Sequence, residues 1–429
     1  MIGSKQRNGI IKETIIYTLS DGLCKALSFL VLPFISHYLI PSQLGVAANF
    51  DVLLSIIMLL AGQAIVNALP YFYYNRSKKE VSMLISSLIA LIFFFNVFFV
   101  ILIYLFNNLI ETYLHIGLYL QLLTILACLT HLLCNINFIL YRLENRPFIF
   151  AKLQILQSVI YLGLIVLLVI SLRMQAIGKI LSSVIAFSFM ALVHFYLLLK
   201  RKMITFKINR GVIKELLKFG LPLLPHSLSF WIKSGMDKIL LTTFCGLTIN
   251  GLYSMAMSFG GIYTIFSNAF SNAYIPYLQK RISRMTSETE RDEKKSFVKL
   301  TYFLGLGFFV LAVLVVFVCK FLVEYVLDEK YLLSFQFIPW ILLSLAIYSF
   351  YGLVIQFPYT VKKTLGIGII TFMSSIIQCT LSFIFLQIFS GDGIKYSLII
   401  GSLVTMLGVW WYSNKVYPMP WLNLKCLGR

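Results

Sequence analysis

The chain has 429 residues, 59% of them hydrophobic, and a formal net charge of +20; its mean hydropathy is +0.89. Soluble proteins carry roughly 45–50% apolar residues, and here the excess arrives in blocks of about 20 or more, the length that crosses a bilayer. A soluble globular enzyme is excluded, and because the cations gather at the ends of apolar blocks they report membrane topology before nucleic-acid binding.

Lys5, Arg7 and Lys12 precede an apolar block at 15–40, too long for the core of a signal peptide, which reads as a first spanning helix. Twelve spans are expected, at 14–39, 45–72, 82–106, 116–141, 149–171, 176–199, 216–243, 251–278, 297–322, 333–358, 365–389 and 394–416. With the N-terminus inside, 28 Lys and Arg fall on cytoplasmic segments, five on outer ones, and three (Lys25, Lys233 and Lys238) inside spans. That bias puts both termini in the cytoplasm. A basic loop near residues 200–210 divides an all-α polytopic membrane protein into two six-helix halves, 1–207 and 208–429.

The halves read as a repeat. Leu69-Pro70-Tyr71 and Ile275-Pro276-Tyr277 end the second and eighth spans, Gly45 and Gly251 precede them, and Ser42 and Thr248, both helix N-cap types, precede the glycines. One offset of 206 aligns all of these positions. Spans one and seven both run outward, so the repeat is parallel, a plan that keeps the substrate site between the halves of a transporter. The stretch 219–281 is the centre of this reading: two apolar segments joined by a short polar turn at 246–250, the first carrying charges and the second closing on Pro276.

Charges inside a span are costly and usually face an aqueous cavity or a partner. Asp21 and Lys25 lie four apart on one helix face and can pair, as can Lys233 and Asp237, with Lys238 adjacent. The lysines suit an anionic substrate and the carboxylates suit a coupled proton; structural ion pairs or snorkelling lysines are the plainer alternative. Asp51, near the outer end of the second span, can simply meet water. Pro222 and Pro225 open the seventh span after Gly220 and, with Pro33 in the first, are candidate kinks or gates. His226, beside Pro225, is the histidine to test for proton carriage. Arg142, Glu144 and Arg146 close the fourth span and can catch a lipid phosphate or set topology. The seven cysteines read as small buried hydrophobes. No phosphate-cradling loop, metal-ligand cluster or nucleophile elbow is visible, and no cofactor is expected.

Gly220-Leu-Pro222-Leu-Leu-Pro225-His226-Ser-Leu228, Asp237-Lys238, Gly246, Gly251-Leu-Tyr253 and Ala273-Tyr-Ile-Pro276 together resemble the polysaccharide-transport (Wzx-type) O-antigen flippases of the multidrug/oligosaccharidyl-lipid/polysaccharide exporter superfamily. Lys238 departs from the Arg that relatives often carry after the Asp, which keeps charge but loses bidentate phosphate binding. The resemblance implies a MATE-like exporter fold, residence in the bacterial inner membrane, and no enzymatic activity. It further implies translocation of undecaprenyl-pyrophosphate-linked O-antigen units for lipopolysaccharide biosynthesis, with Lys25, Lys233, Lys238 and Arg142 forming a cationic path. Ion coupling would fall to Asp21, Asp237 or His226, and partners would include membrane lipids, the O-antigen polymerase and a chain-length regulator. Export of another exopolysaccharide, of a lipid-linked precursor or of drugs within the same superfamily stays open, as does, more remotely, a membrane polymerase or glycosyltransferase.

Overall fold

The computed structural model describes residues 4–74, 76–205, 207–286 and 289–421. All regular structure among them is helical, as a membrane demands of a chain whose backbone polar groups must be satisfied within each segment. Among the described residues, ten apolar helical stretches are long enough to cross a bilayer. Eight of them each overlap one expected span, six to within five residues at both ends, while Lys78–Leu114 and Glu290–Tyr325 overrun theirs by up to eight residues. Arg210–Ile282 and Leu365–Val416 hold 73 and 52 residues, and each is long enough for two crossings at about 20 residues apiece. The ten stretches are therefore compatible with twelve crossings. Several helices overshoot the hydrocarbon: Glu290–Tyr325 has 36 residues, about 54 Å at 1.5 Å per residue, against a core of about 30 Å.

The interruptions have identifiable causes. Leu365–Phe389 stops at Ser390, whose φ is +51°. Inside Asp237–Ile282 the direction changes at Gly246, with φ 82° and ψ 170°, a region essentially restricted to glycine. The polar turn expected over 246–250 is thus a single-residue break, and helix resumes at once. Pro276 does not close this helix, which runs on to Ile282, whereas its repeat mate Pro70 opens the short helix Leu69–Tyr73 after a break at Asn67–Ala68. Ser42 is not an N-cap: Ile40 flanks Pro41–Met58 and offers no side-chain cap, and Pro41 opens the helix, where a missing N–H costs nothing.

The chain forms two compact units, Met1–Trp231 with Gly246–Gly251, and Ile232–Cys245 with Leu252–Arg429. In the first, Arg210–Gly220 and Leu224–Trp231 are held by close contacts. A Cβ on Gly220 would lie 2.6 Å from Ile65, and the Trp231 indole N–H donates to Ser55 Oγ at 3.0 Å. The linker before them is pinned where Thr205 and Asn209 backbone N–H groups donate to Ser86 and Ser87 hydroxyls at 3.0 and 3.1 Å. Asn209 then caps the next helix by accepting from Gly211 N–H.

The Gly246–Gly251 segment packs on the start of Pro41–Met58 within the first unit. A Cβ on Gly45 would stand 2.2 Å from the Leu247 carbonyl oxygen, and one on Gly251 would stand 1.8 Å from that of Pro41. Pro41 and Leu247 are themselves 206 apart, as are the two glycines. The contact is reciprocal in the register of the repeat, as a two-fold relation requires. Beside it the buried Asn250 amide donates to Asn49 Oδ1 at 2.8 Å, and Asn49 donates to the Leu114 carbonyl at 2.7 Å.

Candidate functional site

In the second unit three helical segments build a polar site inside otherwise apolar sequence. Ile232–Met236 is a π-helical turn, which lengthens the hydrogen-bonded ring from i→i+4 to i→i+5 and recurs at functional sites. Lys233 sits within it and Asp237 begins the α-helix that follows. Leu365–Phe389 and Gly393–Val416 pack against each other and supply the partners.

Asp237 is 1% exposed. Its carboxyl oxygens lie 2.8 Å from Ser382 Oγ and 3.2 Å from Gln378 Nε2. Ser382 Oγ is also 2.9 Å from Ser397 Oγ, which is 3.0 Å from the Ile394 carbonyl oxygen. A hydroxyl has one hydrogen, so this chain has two orientations. With the carboxyl ionised, Ser382 donates to Asp237. With it protonated, Asp237 donates to Ser382, Ser382 to Ser397, and Ser397 to the carbonyl. The site can thus accept or release one proton without stranding a buried donor, the condition that makes a buried polar network tolerable.

Lys233 Nζ donates to Thr405 Oγ1 at 2.6 Å and lies 5.7 Å from the centre of the Tyr348 ring. Thr405 is further bound to Ser374 and to the Gly401 carbonyl. A lysine at a span centre costs about 2.5–3.5 kcal/mol on insertion scales, and a hydroxyl acceptor with an aromatic face offsets part of that. The Lys233 carbonyl accepts from Gln378 Nε2 at 3.4 Å, so one amide spans the Lys233 backbone and the Asp237 side chain. Room for it comes from Gly401, where a Cβ would lie 2.5 Å from Gln378 Oε1. Lys238 is half-buried beside Asp237 and is also engaged in an interaction.

The other sequence candidates lie in the first unit. Asp21 and Lys25 do not pair: Lys25 is exposed, and Asp21 instead accepts from Gln154 Nε2 at 2.8 Å and lies 3.7 Å from Arg142 Nη2. Two packed neighbours present better-placed donors than a lysine one turn along the same helix. The Arg142 guanidinium stands 4.6 Å above the Phe150 ring. Glu144 pairs with Arg146 at 3.3 Å and closely with Arg201. Pro33 follows the break at Val31, and its carbonyl accepts from the Ser36 hydroxyl. Pro222 lies in the 3-10 turn Leu221–Leu223, and Pro225 is the second residue of the next helix, so these prolines tighten the helix for one turn without ending it. His226 is half-buried and stacks edge-on to Phe230 at 5.1 Å. Asp51 is exposed, with Lys179 at 3.9 Å. The structure therefore brings Lys233, Asp237 and Lys238 into one neighbourhood and Asp21 with Arg142 into another. Among the described residues no group of three or more His, Cys, Asp or Glu is placed to hold a metal. Of the cysteines, Cys24, Cys128, Cys134 and Cys319 are buried and Cys245 and Cys379 half-buried; Cys426 lies outside the described residues.

Sequence reasoning missed Gln378, Ser382, Ser397 and Thr405. Their signal was present: Ser374, Gln378 and Ser382 recur every four residues along one helix, and Ser397, Gly401 and Thr405 do so along the next. That spacing makes one polar stripe per helix face.

The all-helical membrane fold is shared with solved membrane-protein structures. Over 93% of this chain and 87% of the other, it superposes on the lipid II flippase MurJ in an inward closed conformation, with a TM-score of 0.72 and 16% identity. An inward-facing multidrug resistance MATE transporter gives 0.73 at 15% identity over 91% and 94% of the two chains; an outward-facing one gives 0.62 at 14% over 95% of each. In sequence, residues 35–336 match the family described as polysaccharide biosynthesis protein, and the chain belongs to that family. Two Haemophilus influenzae proteins are similar over 64% of this chain. Protein 1 of the Lsg locus is 21% identical over 67% of its own length, and an uncharacterized membrane protein is 20% identical over 66% of its own. The chain thus matches about two thirds of the length of these relatives.

Proposed function

We propose that this protein is a flippase that moves undecaprenyl-pyrophosphate-linked O-antigen units from the inner to the outer leaflet of the bacterial inner membrane, for lipopolysaccharide biosynthesis. It does so by alternating access of two six-helix halves, residues 1–207 and 208–429, with both termini in the cytoplasm. The observation that carries the reading is an intramembrane lysine one helical turn from a buried carboxyl, each held by its own hydroxyl partner rather than by the other, in a polysaccharide-family scaffold. The cargo's pyrophosphate is anionic and its glycan hydrophilic, so both need a wet, cationic path while the polyprenyl tail stays in lipid. Lys233 is the principal anion contact, with Lys25, Lys238 and Arg142 as further cations on the route. Asp237, with its reversible hydroxyl chain, is the coupling group; Asp21 and His226 are secondary candidates. Pro222, Pro225 and Pro33 mark the places where helices flex. The O-antigen polymerase and chain-length regulator are the partners that would receive the product.

Complementation tests this. The gene is deleted in its own strain, and lipopolysaccharide is run on gels after return of wild type, Lys233→Ala or Asp237→Asn. Loss of the O-chain ladder on deletion, rescue by wild type and failure of either variant at normal expression support the reading. A ladder that survives deletion overturns the O-antigen assignment. The likeness to a lipid II flippase favours one second reading, export of another lipid-linked glycan precursor, for which peptidoglycan-precursor translocation is the assay.

A further inference from the structure

At one end of the first unit Tyr73, Tyr74, Arg76, Lys78, Val81 and Met203 line a cavity of about 310 Å³. That is at the lower end of the roughly 300–1,000 Å³ of ligand pockets. It lies where the Pro41–Tyr73 span ends and Lys78–Leu114 begins, and the pinned linker after Gln175–Lys200 supplies Met203. Two lining residues are cations and none is a carboxylate.

The cations are placed against local preference. Ser77 caps the Lys78–Leu114 helix in a full capping box with Glu80. Lys78 and Lys79 then occupy the first turn, where the helix dipole is positive and a cation is disfavoured. Arg76 is held in place: its guanidinium pairs with Glu215 from the Arg210–Gly220 helix and lies 5.5 Å over the Phe72 ring, and only 18% of its side chain is exposed. Glu215 engages Nη2, while a guanidinium carries five N–H donors in a fork that matches phosphate oxygens. Around the rim Tyr71, Tyr74 and Ile208 are strongly exposed; tyrosines so placed sit at headgroup level. Lys202 and Lys207 are exposed on the same linker, and Arg210 is exposed at the start of the helix that follows it. A preorganised guanidinium, an ammonium at a helix start and two phenol rings, at the depth of the membrane interface, make a socket for an anion borne on an amphipathic molecule.

We propose that this cavity binds the phosphate group of an anionic membrane-lipid headgroup. Arg76 and Lys78 contact the phosphate, the Tyr73 and Tyr74 rings flank the headgroup, and Met203 forms the floor. Because Met203 belongs to the linker between the expected halves, an occupied cavity braces that linker against the Lys78–Leu114 helix.

Native mass spectrometry of the full-length protein in detergent tests the proposal, with titration by short-chain phosphatidylglycerol and, separately, by phosphatidylcholine. Each cation at a lipid surface contributes about 1 kcal/mol, so Lys78→Gln should weaken phosphatidylglycerol binding about fivefold and Arg76→Lys with Lys78→Gln further still. Equal affinity for both lipids, or unchanged phosphatidylglycerol affinity in the folded double variant, overturns the proposal. Should the double variant fail to fold, Met203→Phe fills the floor without changing charge: lost binding supports the site, and unchanged binding refutes it. Inorganic phosphate is added as competitor to separate the sources. Displacement of bound lipid confirms the phosphate as the recognised group. Phosphate bound in a Lys78-dependent way with no lipid bound shows the same chemistry serving free phosphate, and neither ligand bound refutes the site.

Discussion

Gly251→Ala is the sharpest test of the reciprocal glycine contact. In an open helix the change should stabilise, since alanine exceeds glycine in helix propensity by about 1 kcal/mol. At this position the new Cβ would lie 1.8 Å from the Pro41 carbonyl oxygen and 2.6 Å from its carbon. Both are backbone atoms that cannot rotate away, and the helices must part by about 1.2 Å merely to reach the 3.0 Å below which real Cβ contacts essentially never fall. Overpacking costs about 1–3 kcal/mol. Parting the helices also stretches the Asn250–Asn49 bond next to the contact, and a buried amide left unpaired costs about 1–3 kcal/mol more. Steric cost exceeds propensity gain, and the expected net loss is about 1–5 kcal/mol. The control is Gly261→Ala, at a helical glycine with nothing within 4 Å of its Cβ. Thermal unfolding of both purified variants, followed by a thiol-reactive dye, should place Gly251→Ala well below wild type and Gly261→Ala at or above it. Equal midpoints for the two would refute the close approach, and with it the reciprocity that supports the repeat.

Gly246→Ala meets nothing within 4 Å, yet φ 82° and ψ 170° forbid a side chain; a loss of about 1–3 kcal/mol in thermal unfolding is expected, and none would mean the break tolerates other backbones. Lys233→Met removes a half-buried charge while keeping most of the side chain's length, and Thr405 retains Ser374 and Gly401 as partners. The unfolding midpoint should hold or rise while O-chain rescue fails, and a midpoint drop with rescue intact would make the lysine structural. Gly401→Ala pushes a Cβ to 2.5 Å from Gln378 Oε1 and 2.7 Å from its Cβ, displacing the amide that joins Asp237 to the Lys233 carbonyl. Stability should fall by about 1–3 kcal/mol and rescue should weaken, whereas full rescue would show that Gln378 is dispensable.

Hydropathy alone carried the fold class, because a bilayer admits so few solutions that block length nearly dictates the element. The offset of 206 pointed to Gly45 and Gly251, and Lys233 and Asp237 stood out because charge inside a span is too costly to be incidental. Tertiary packing decided what those residues touch. Asp21 turned from Lys25 to Gln154 and Arg142, since neighbours on other helices outcompete a partner one turn away. Asp237 took Ser382 and Gln378, more than 140 residues along the chain. Ser, Thr and Gln are common on apolar helices, and their spacing says that a stripe exists but not which helix it faces. Pro70 and Pro276 share a place in the repeat yet differ in backbone, because proline removes a donor in both while neighbouring helices decide whether the chain bends there.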